Sequence, residues 1–86
     1  MNAGLTAADI AAELESFVRD NYHVPADDER FTRDVDLWDT GYVDSIAVIE
    51  IIAFLEQRLG RMLPETVLFS PQFRSINGIA QLVLKL

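Results

Sequence analysis

Ser45 is the strongest candidate in this chain for a residue that takes part in chemistry, because it lies between Asp44 and Ile46 where a turn becomes a helix. The chain has no cysteine, one histidine and no evident cluster of metal ligands. That histidine, His23, is far away in the sequence, so no local base is provided for Ser45. The chemistry expected at Ser45 is therefore attachment of a group by another enzyme, and a hydrolase with a Ser-His-Asp site is disfavoured.

The start of a helix is a favourable place for an attached phosphate. The first backbone N–H groups of a helix have no intrahelical acceptors, and the helix dipole favours negative charge. A phosphodiester on Ser45 would therefore be well accommodated. Asp44 is a candidate N-cap of this helix, and it could also help a modifying enzyme to hold a metal ion. The alternative is that the Ser45 hydroxyl serves only as a helix cap.

Apolar spacing and end signals predict the elements that position this serine. Three main helices are expected, over about 5–21, 44–59 and 76–84, with one short helical segment near 64–69. Thr6 and Ser75 are the expected N-caps of the first and last helices, and Gly60 is the expected end of the second. The predicted fold class is all-α: a small four-helix bundle of three main helices and one short helix, with a long loop between helices 1 and 2.

The segment between the first two helices, residues 22–43, is long for so short a chain. Loops of this length are usually functional or pinned by a few apolar anchors, here Val24, Phe31, Val35, Leu37 and Trp38. Asp34, Asp36 and Asp39 alternate in this loop and could bind a divalent cation, but a calcium loop needs more ligands and a glycine at a fixed position. A solvated acidic loop is therefore preferred, and no metal site is expected.

The second helix has apolar residues on two faces. At about 100 degrees per residue, one stripe forms the expected core face: Val48, Ile51, Ile52, Leu55 and Leu59. Ile46, Ile49 and Ala53 fall on the other side, near Glu50 and Glu56. Either the long loop folds over Ile46 and Ile49, or these residues form an apolar docking spot with an acidic rim. We prefer the docking spot, and its candidate partner-binding residues are Ile46, Ile49, Glu50, Ala53 and Glu56.

Length and charge limit the classes of partner. The 86 residues suffice for one small domain, expected to span residues 1–86. The net charge of −7 disfavours nucleic acid and anionic membranes, and it favours partners with basic surfaces. The N-terminus lacks the pattern of a signal peptide, and no apolar run is long enough to span a bilayer. The absence of cysteine fits a cytoplasmic protein, and a monomer is expected.

Together these features resemble the acyl carrier protein family. Asp44-Ser45-Ile46 is similar to the family's Asp-Ser-Leu, in which the serine receives 4′-phosphopantetheine. The tripeptide follows a loop with the sequence Leu37-Trp38-Asp39-Thr40-Gly41, and it opens an amphipathic helix that ends at Gly60. Phe73-Arg74-Ser75-Ile76 is similar to the start of the family's last helix. The resemblance extends from about Ile10 to Leu84.

The resemblance implies a four-helix bundle that carries a covalent 4′-phosphopantetheine arm on Ser45. The arm ends in a thiol, and acyl or aminoacyl cargo would be carried on it as thioesters. The implied partners are a phosphopantetheinyl transferase that uses coenzyme A and Mg²⁺, an acyl- or aminoacyl-loading ligase, and downstream biosynthetic enzymes that dock largely on the second helix. A protein of this kind is not itself an enzyme.

Two departures from fatty-acid-type carriers refine the resemblance. Gly41 lies three residues before Asp44 instead of two, and Ala47 occupies a position at which those carriers often have an acid. This spacing is more similar to that of D-alanyl carriers and stand-alone secondary-metabolite carriers. We therefore expect a discrete carrier in polyketide, nonribosomal peptide or related biosynthesis, with an aminoacyl carrier as the near alternative. The alternative from another class is an unmodified helical adaptor that binds partners through the second helix.

Overall fold

The architecture is all-helical over the part of the chain that the computed structural model describes, residues 5–86. Helix α1 spans Ala7–Asn21, α2 spans Ser45–Leu59 and α3 spans Ile76–Leu84. A 3₁₀ helix spans Glu65–Phe69, between α2 and α3. The prediction of three main helices is confirmed, and no strand occurs among residues 5–86.

The predicted four-helix bundle is not confirmed, because the fourth segment is a single 3₁₀ helix. Its hydrogen bonds join residues three apart: the Val67 amide donates to the Pro64 carbonyl, and the Ser70 amide donates to the Val67 carbonyl. Such tight turns rarely extend beyond a few residues, because their hydrogen-bond geometry is poorer than that of an α-helix. This segment therefore closes the connection between α2 and α3 as a short 3₁₀ helix, and its Val67 is buried in the core.

Side-chain caps fix the ends of the α-helices. Thr6 and Asp9 form a reciprocal capping box, with distances of 3.1 and 3.0 Å between each side-chain oxygen and the other residue's amide nitrogen. Because Thr6 is an extended N-cap, α1 begins at Ala7 and not near Leu5 as predicted. Ser75 caps α3, as expected, by accepting the Gly78 amide at 3.0 Å. Gly60 ends α2 in the left-handed region, at φ 72°, where glycine avoids the cost of a Cβ.

The core is a single apolar cluster to which all three α-helices and the long loop contribute. Its fully buried members include Ile10 and Leu14 of α1, Ile51 and Leu55 of α2, Ile76 and Ile79 of α3, and Leu37 of the loop. Helix α1 packs against α3. The predicted core face of α2 is rotated slightly, since Ala47 is buried while Ile52 and Leu59 are only partly buried.

The long loop is pinned to the segment that precedes α3. The Leu37 amide donates to the Arg74 carbonyl at 2.7 Å, and the Trp38 indole nitrogen donates to the Phe73 carbonyl at 3.1 Å. Val24 and Phe31 are buried, as expected of anchors, while Val35 and Trp38 are partly buried. These contacts therefore hold the loop that leads into α2, and Asp44 and Ser45 follow directly at its end.

Candidate functional site

Ser45 is the first residue of α2, and its side chain is exposed. The preceding residue, Asp44, is the N-cap: its Oδ1 accepts the Ala47 amide at 2.8 Å, and its carbonyl accepts the Val48 amide at 3.0 Å. The Ser45 hydroxyl makes no hydrogen bond with any residue of the described range 5–86. Because Asp44 already caps the helix, Ser45 is not needed as a cap, and its hydroxyl is accessible to an enzyme.

The first turn of α2 also fits an attached phosphodiester. The amides of Ser45 and Ile46 precede the point at which intrahelical acceptors become available, and neither has another backbone acceptor within the described residues. Only the Ala47 amide is occupied, by Asp44. Two outward N–H donors and the positive end of the helix dipole thus remain available to phosphate oxygens.

The segment before Ser45 is held by aromatic and polar contacts. Gly41 adopts φ 81°, a left-handed conformation that suits glycine. The Tyr42 hydroxyl donates to Asp28 Oδ2 at 2.6 Å, and this hydrogen bond raises the pKa of Tyr42. The ring of Tyr42 lies edge-on to Phe31, with 5.0 Å between centroids. These contacts, together with the buried side chain of Val43, give the turn into α2 a defined shape.

The exposed face of α2 is apolar beside Ser45. Ile46 and Ile49 are each 69% exposed, and Ala53 is also exposed. The interpretation that the long loop covers the two isoleucines is therefore wrong, since the loop is anchored against the segment before α3 instead. Together, Ile46, Ile49 and Ala53 form what we call the α2 face.

The two acids beside the α2 face have different environments. Glu50 is exposed, and its Oε1 accepts the Tyr22 hydroxyl at 2.7 Å. Burial, and then this hydrogen bond, raise the pKa of Tyr22. Glu56 is half-buried, and its Oε2 accepts the Leu63 amide at 2.8 Å. Glu50 thus stays at the surface beside the α2 face, while Glu56 helps to hold the chain after α2. No sequence pattern signals either pairing, because both partners lie outside α2.

The three aspartates of the acidic loop are engaged by side chains of the segment before α3 and of α3 itself. Arg74 binds both Asp36, at 2.7 Å, and Asp39, at 3.1 Å. The hydrogen bond from Arg74 holds the pKa of Asp36 below its usual range. Asp34 instead accepts the side-chain amide of Asn77 at 2.9 Å. Across residues 5–86, no group of three or more His, Cys, Asp or Glu side chains is arranged to hold a metal ion.

His23 makes no hydrogen bond with Ser45 among residues 5–86. It is exposed in the turn after α1, where it adopts a left-handed φ of 56°. The Asp44 carboxylate accepts the Ala47 amide through Oδ1, and no hydrogen bond joins it to His23 among residues 5–86. A serine hydrolase needs a base hydrogen-bonded to the nucleophile and a third group to orient that base. Neither contact is present among the described residues.

A small helical domain with an exposed serine at the start of its second helix has the form of a carrier domain. Residues 12–83 match the family model described as a phosphopantetheine attachment site. The chain belongs to this family, whose members carry 4′-phosphopantetheine covalently on a serine. Such domains work with a phosphopantetheinyl transferase and biosynthetic enzymes, and they are typically non-catalytic. No protein of curated function matches the chain. Within residues 5–86, none of the helices has the length and apolar character needed to cross a membrane.

Proposed function

We propose that Ser45 is the residue that receives 4′-phosphopantetheine and that the protein carries biosynthetic intermediates on this arm. The observation that carries the proposal is that two adjacent residues at the start of α2 have different roles. Asp44 caps the helix, while the exposed Ser45 hydroxyl is left without a structural role. The bound group would supply a flexible thiol on which acyl or aminoacyl cargo is held as a thioester.

Each residue near this site has a distinct proposed role. The Ser45 hydroxyl oxygen would attack the phosphorus of coenzyme A that bears the pantetheine, the P–O–P bond would break, and adenosine 3′,5′-bisphosphate would leave while the transferase takes up the hydroxyl proton. The Ser45 and Ile46 amides would be available to the phosphodiester so formed. Asp44 orients the helix start, and its carboxylate helps the modifying enzyme to hold Mg²⁺. Activation of the hydroxyl comes from the transferase, since neither His23 nor another base contacts Ser45 among the described residues.

Partner enzymes are proposed to dock on the α2 face. Ile46 and Ile49 offer apolar contact area, and Glu50 offers a negative charge beside them. The chain carries a net charge of −7, so a partner with a basic surface would be steered towards it. The small side chain of Ala53 would let a partner approach α2 closely. Glu56 would contribute indirectly, because its carboxylate accepts the Leu63 amide and so holds the chain that follows α2.

The pathway is proposed from the sequence around the serine. The spacing of Gly41 and Asp44 and the presence of Ala47 favour polyketide, nonribosomal peptide or related biosynthesis over general fatty-acid synthesis. An aminoacyl carrier, such as a D-alanyl carrier, is the near alternative. A dedicated acyl- or aminoacyl-loading ligase would select the cargo in either case, because the tether itself is generic.

The test is an intact-mass measurement after incubation with coenzyme A, Mg²⁺ and a broad-specificity phosphopantetheinyl transferase. The expected result is a gain of one phosphopantetheine, absent in Ser45→Ala. Ser16→Ala is the matched control, because Ser16 is also exposed but lies within α1. If the folded protein gains no mass with several transferases, an unmodified adaptor that uses the exposed α2 face replaces the carrier. If Ser45→Ala is still modified, the assignment of the serine is wrong.

Docking is tested separately by steady-state kinetics of the same modification reaction. Ile49→Ala should raise the KM for the carrier several-fold, about the effect of losing one central apolar contact. The control is Met62→Ala, since Met62 is 81% exposed but lies outside α2. Equal KM values for both variants and the wild type would show that Ile49 is not part of the docking surface.

A further inference from the structure

A groove of about 510 Å³ lies between α1 and α2, away from the start of α2. Its floor is formed by Phe17 and Phe54, whose rings stack with 4.5 Å between centroids and an interplanar angle of 25°. Both rings are only partly buried, so part of their surface faces the groove. Glu13 and Asp20 also line it, and both lie on the same side of α1 as Phe17 because they are four and three residues away.

The two carboxylates of the groove are not equivalent. Glu13 is engaged by Arg58, whose Nη2 lies 3.0 Å from Oε2, and this pairing lowers the pKa of Glu13. Asp20 is exposed and takes part in no ion pair or side-chain hydrogen bond with the residues of 5–86. The groove therefore combines an aromatic floor with one carboxylate whose charge is not neutralised by the described chain.

This combination has the chemistry of a site for a guanidinium group. A planar guanidinium stacks on aromatic rings and is attracted by their electron-rich faces, and it also pairs with a carboxylate. The aliphatic stem of an arginine would cover apolar surface while its charged head meets Asp20. A lysine ammonium is more strongly hydrated and lacks the planar surface that would stack on the floor.

The groove and the α2 face are linked by α2, which contributes Phe54 to the groove and Ala53 to the face. Phe54 lies next to Ala53 in the sequence and also lines a second, smaller pocket of about 260 Å³ together with Gln57 and Arg58. We propose that this groove receives an arginine side chain of a protein that docks on the α2 face. The assignment to such a partner rests on the proposed docking role of that face. The chemistry of the groove itself does not depend on modification of Ser45.

The test is a titration of the full, unmodified chain followed through its backbone amide NMR signals. The probe is a pentapeptide with arginine at its centre between two leucines. Its counterpart contains citrulline, which has the same shape without the charge. We expect saturable shifts at Phe17, Asp20 and Phe54 with the arginine peptide and much smaller shifts with the citrulline peptide.

Two variants and one control localise the binding. Asp20→Asn should weaken binding of the arginine peptide by about two- to fivefold, as expected for one partly exposed charge pair. Phe54→Leu keeps an apolar floor but removes one aromatic face, and it should weaken binding by a similar factor. The matched control is Asp27→Asn, because Asp27 is an exposed acid in the loop after α1 and does not line the groove. It should leave binding unchanged.

Several outcomes would overturn the inference. If the citrulline peptide bound as tightly as the arginine peptide, the groove would not recognise a guanidinium group. If Asp20→Asn and Asp27→Asn weakened binding equally, the attraction would come from the net charge of the chain and not from the groove. Binding of N-acetyl-arginine-amide as tight as that of the pentapeptide would indicate a site for free arginine and would contradict docking of a protein segment. Because these titrations use the unmodified chain, they can fail while Ser45 is still modified, and the reverse also holds.

Discussion

Replacing Asp44 should separate its role as a helix cap from its proposed role in modification. Asp44→Ala removes the 2.8 Å hydrogen bond to the Ala47 amide together with the negative charge. Asp44→Asn removes the charge but retains a side-chain oxygen that can accept the same amide. The two variants therefore differ in capping while they share the loss of the carboxylate.

The expected sizes follow from these contacts. Loss of an N-cap costs about 1 kcal/mol of the free energy of unfolding, and loss of a negative charge at a helix start costs a further ~0.3–1 kcal/mol. For a domain of this size, 1 kcal/mol corresponds to a change in Tm of about 4–8 °C. Asp44→Ala should therefore lower the Tm by about 5–15 °C. Asp44→Asn should lower it by less than about half as much.

The rate of modification should rank the two Asp44 variants differently from the Tm. If the carboxylate helps the transferase to hold Mg²⁺, both variants should be modified at least about tenfold more slowly than the wild type, as is common when a group that supports a metal is lost. Thermal unfolding by circular dichroism gives the first comparison, and the time course of intact mass gives the second. Equal Tm values for the two variants would refute the capping argument. Modification of Asp44→Asn at the wild-type rate would refute the metal role.

Two further predictions concern the stability of the scaffold. Gly78→Ala should destabilise the fold by about 1–3 kcal/mol, although alanine is normally the better helix residue, because an added Cβ would lie 2.2 Å from the Gln72 carbonyl oxygen. Urea unfolding checks this, with Gln81→Ala at an exposed position of the same helix as the control, and equal midpoints would contradict it. Burial raises the pKa of Tyr22, and a carboxylate hydrogen bond raises the pKa of Tyr42. A tyrosine whose pKa is raised in the folded protein adds stability that is complete below the tyrosine pKa of the unfolded chain, about 10, and is lost as the pH rises above that value. The Tm should therefore fall as the pH is raised above about 10. Phenylalanine at both positions should flatten this decline, and an unchanged profile would exclude these two hydroxyls as its cause.

Local signals in the sequence were sufficient to predict the helices and the position of the serine. Thr6, Ser75 and Gly60 mark helix ends because capping depends on only a few neighbouring residues. Asp44 and Ser45 were expected at the start of α2 for the same reason, and they lie there. The short fourth segment was located correctly at residues 64–69, but its 3₁₀ geometry depends on how the chain closes between α2 and α3.

The path of the long loop could not be predicted, because it depends on contacts between distant residues. Trp38 was expected to anchor the loop, but its partner, the Phe73 carbonyl, lies 35 positions away. The three loop aspartates looked similar in the sequence, yet Arg74 binds two of them and Asn77 binds the third. These contacts determine that the loop leaves Ile46 and Ile49 exposed.

The sequence by itself determined an acidic, all-helical chain with a serine at a capped helix start and apolar residues on both sides of that helix. These properties follow from residue types and from spacing along one helix, which are local. Only the tertiary structure decided which apolar face is buried, that Glu56 is held by the Leu63 amide, and that Phe17 and Phe54 meet beside Asp20. Each of these features joins separate elements, so each depends on how the helices pack and on where the loop between them is anchored.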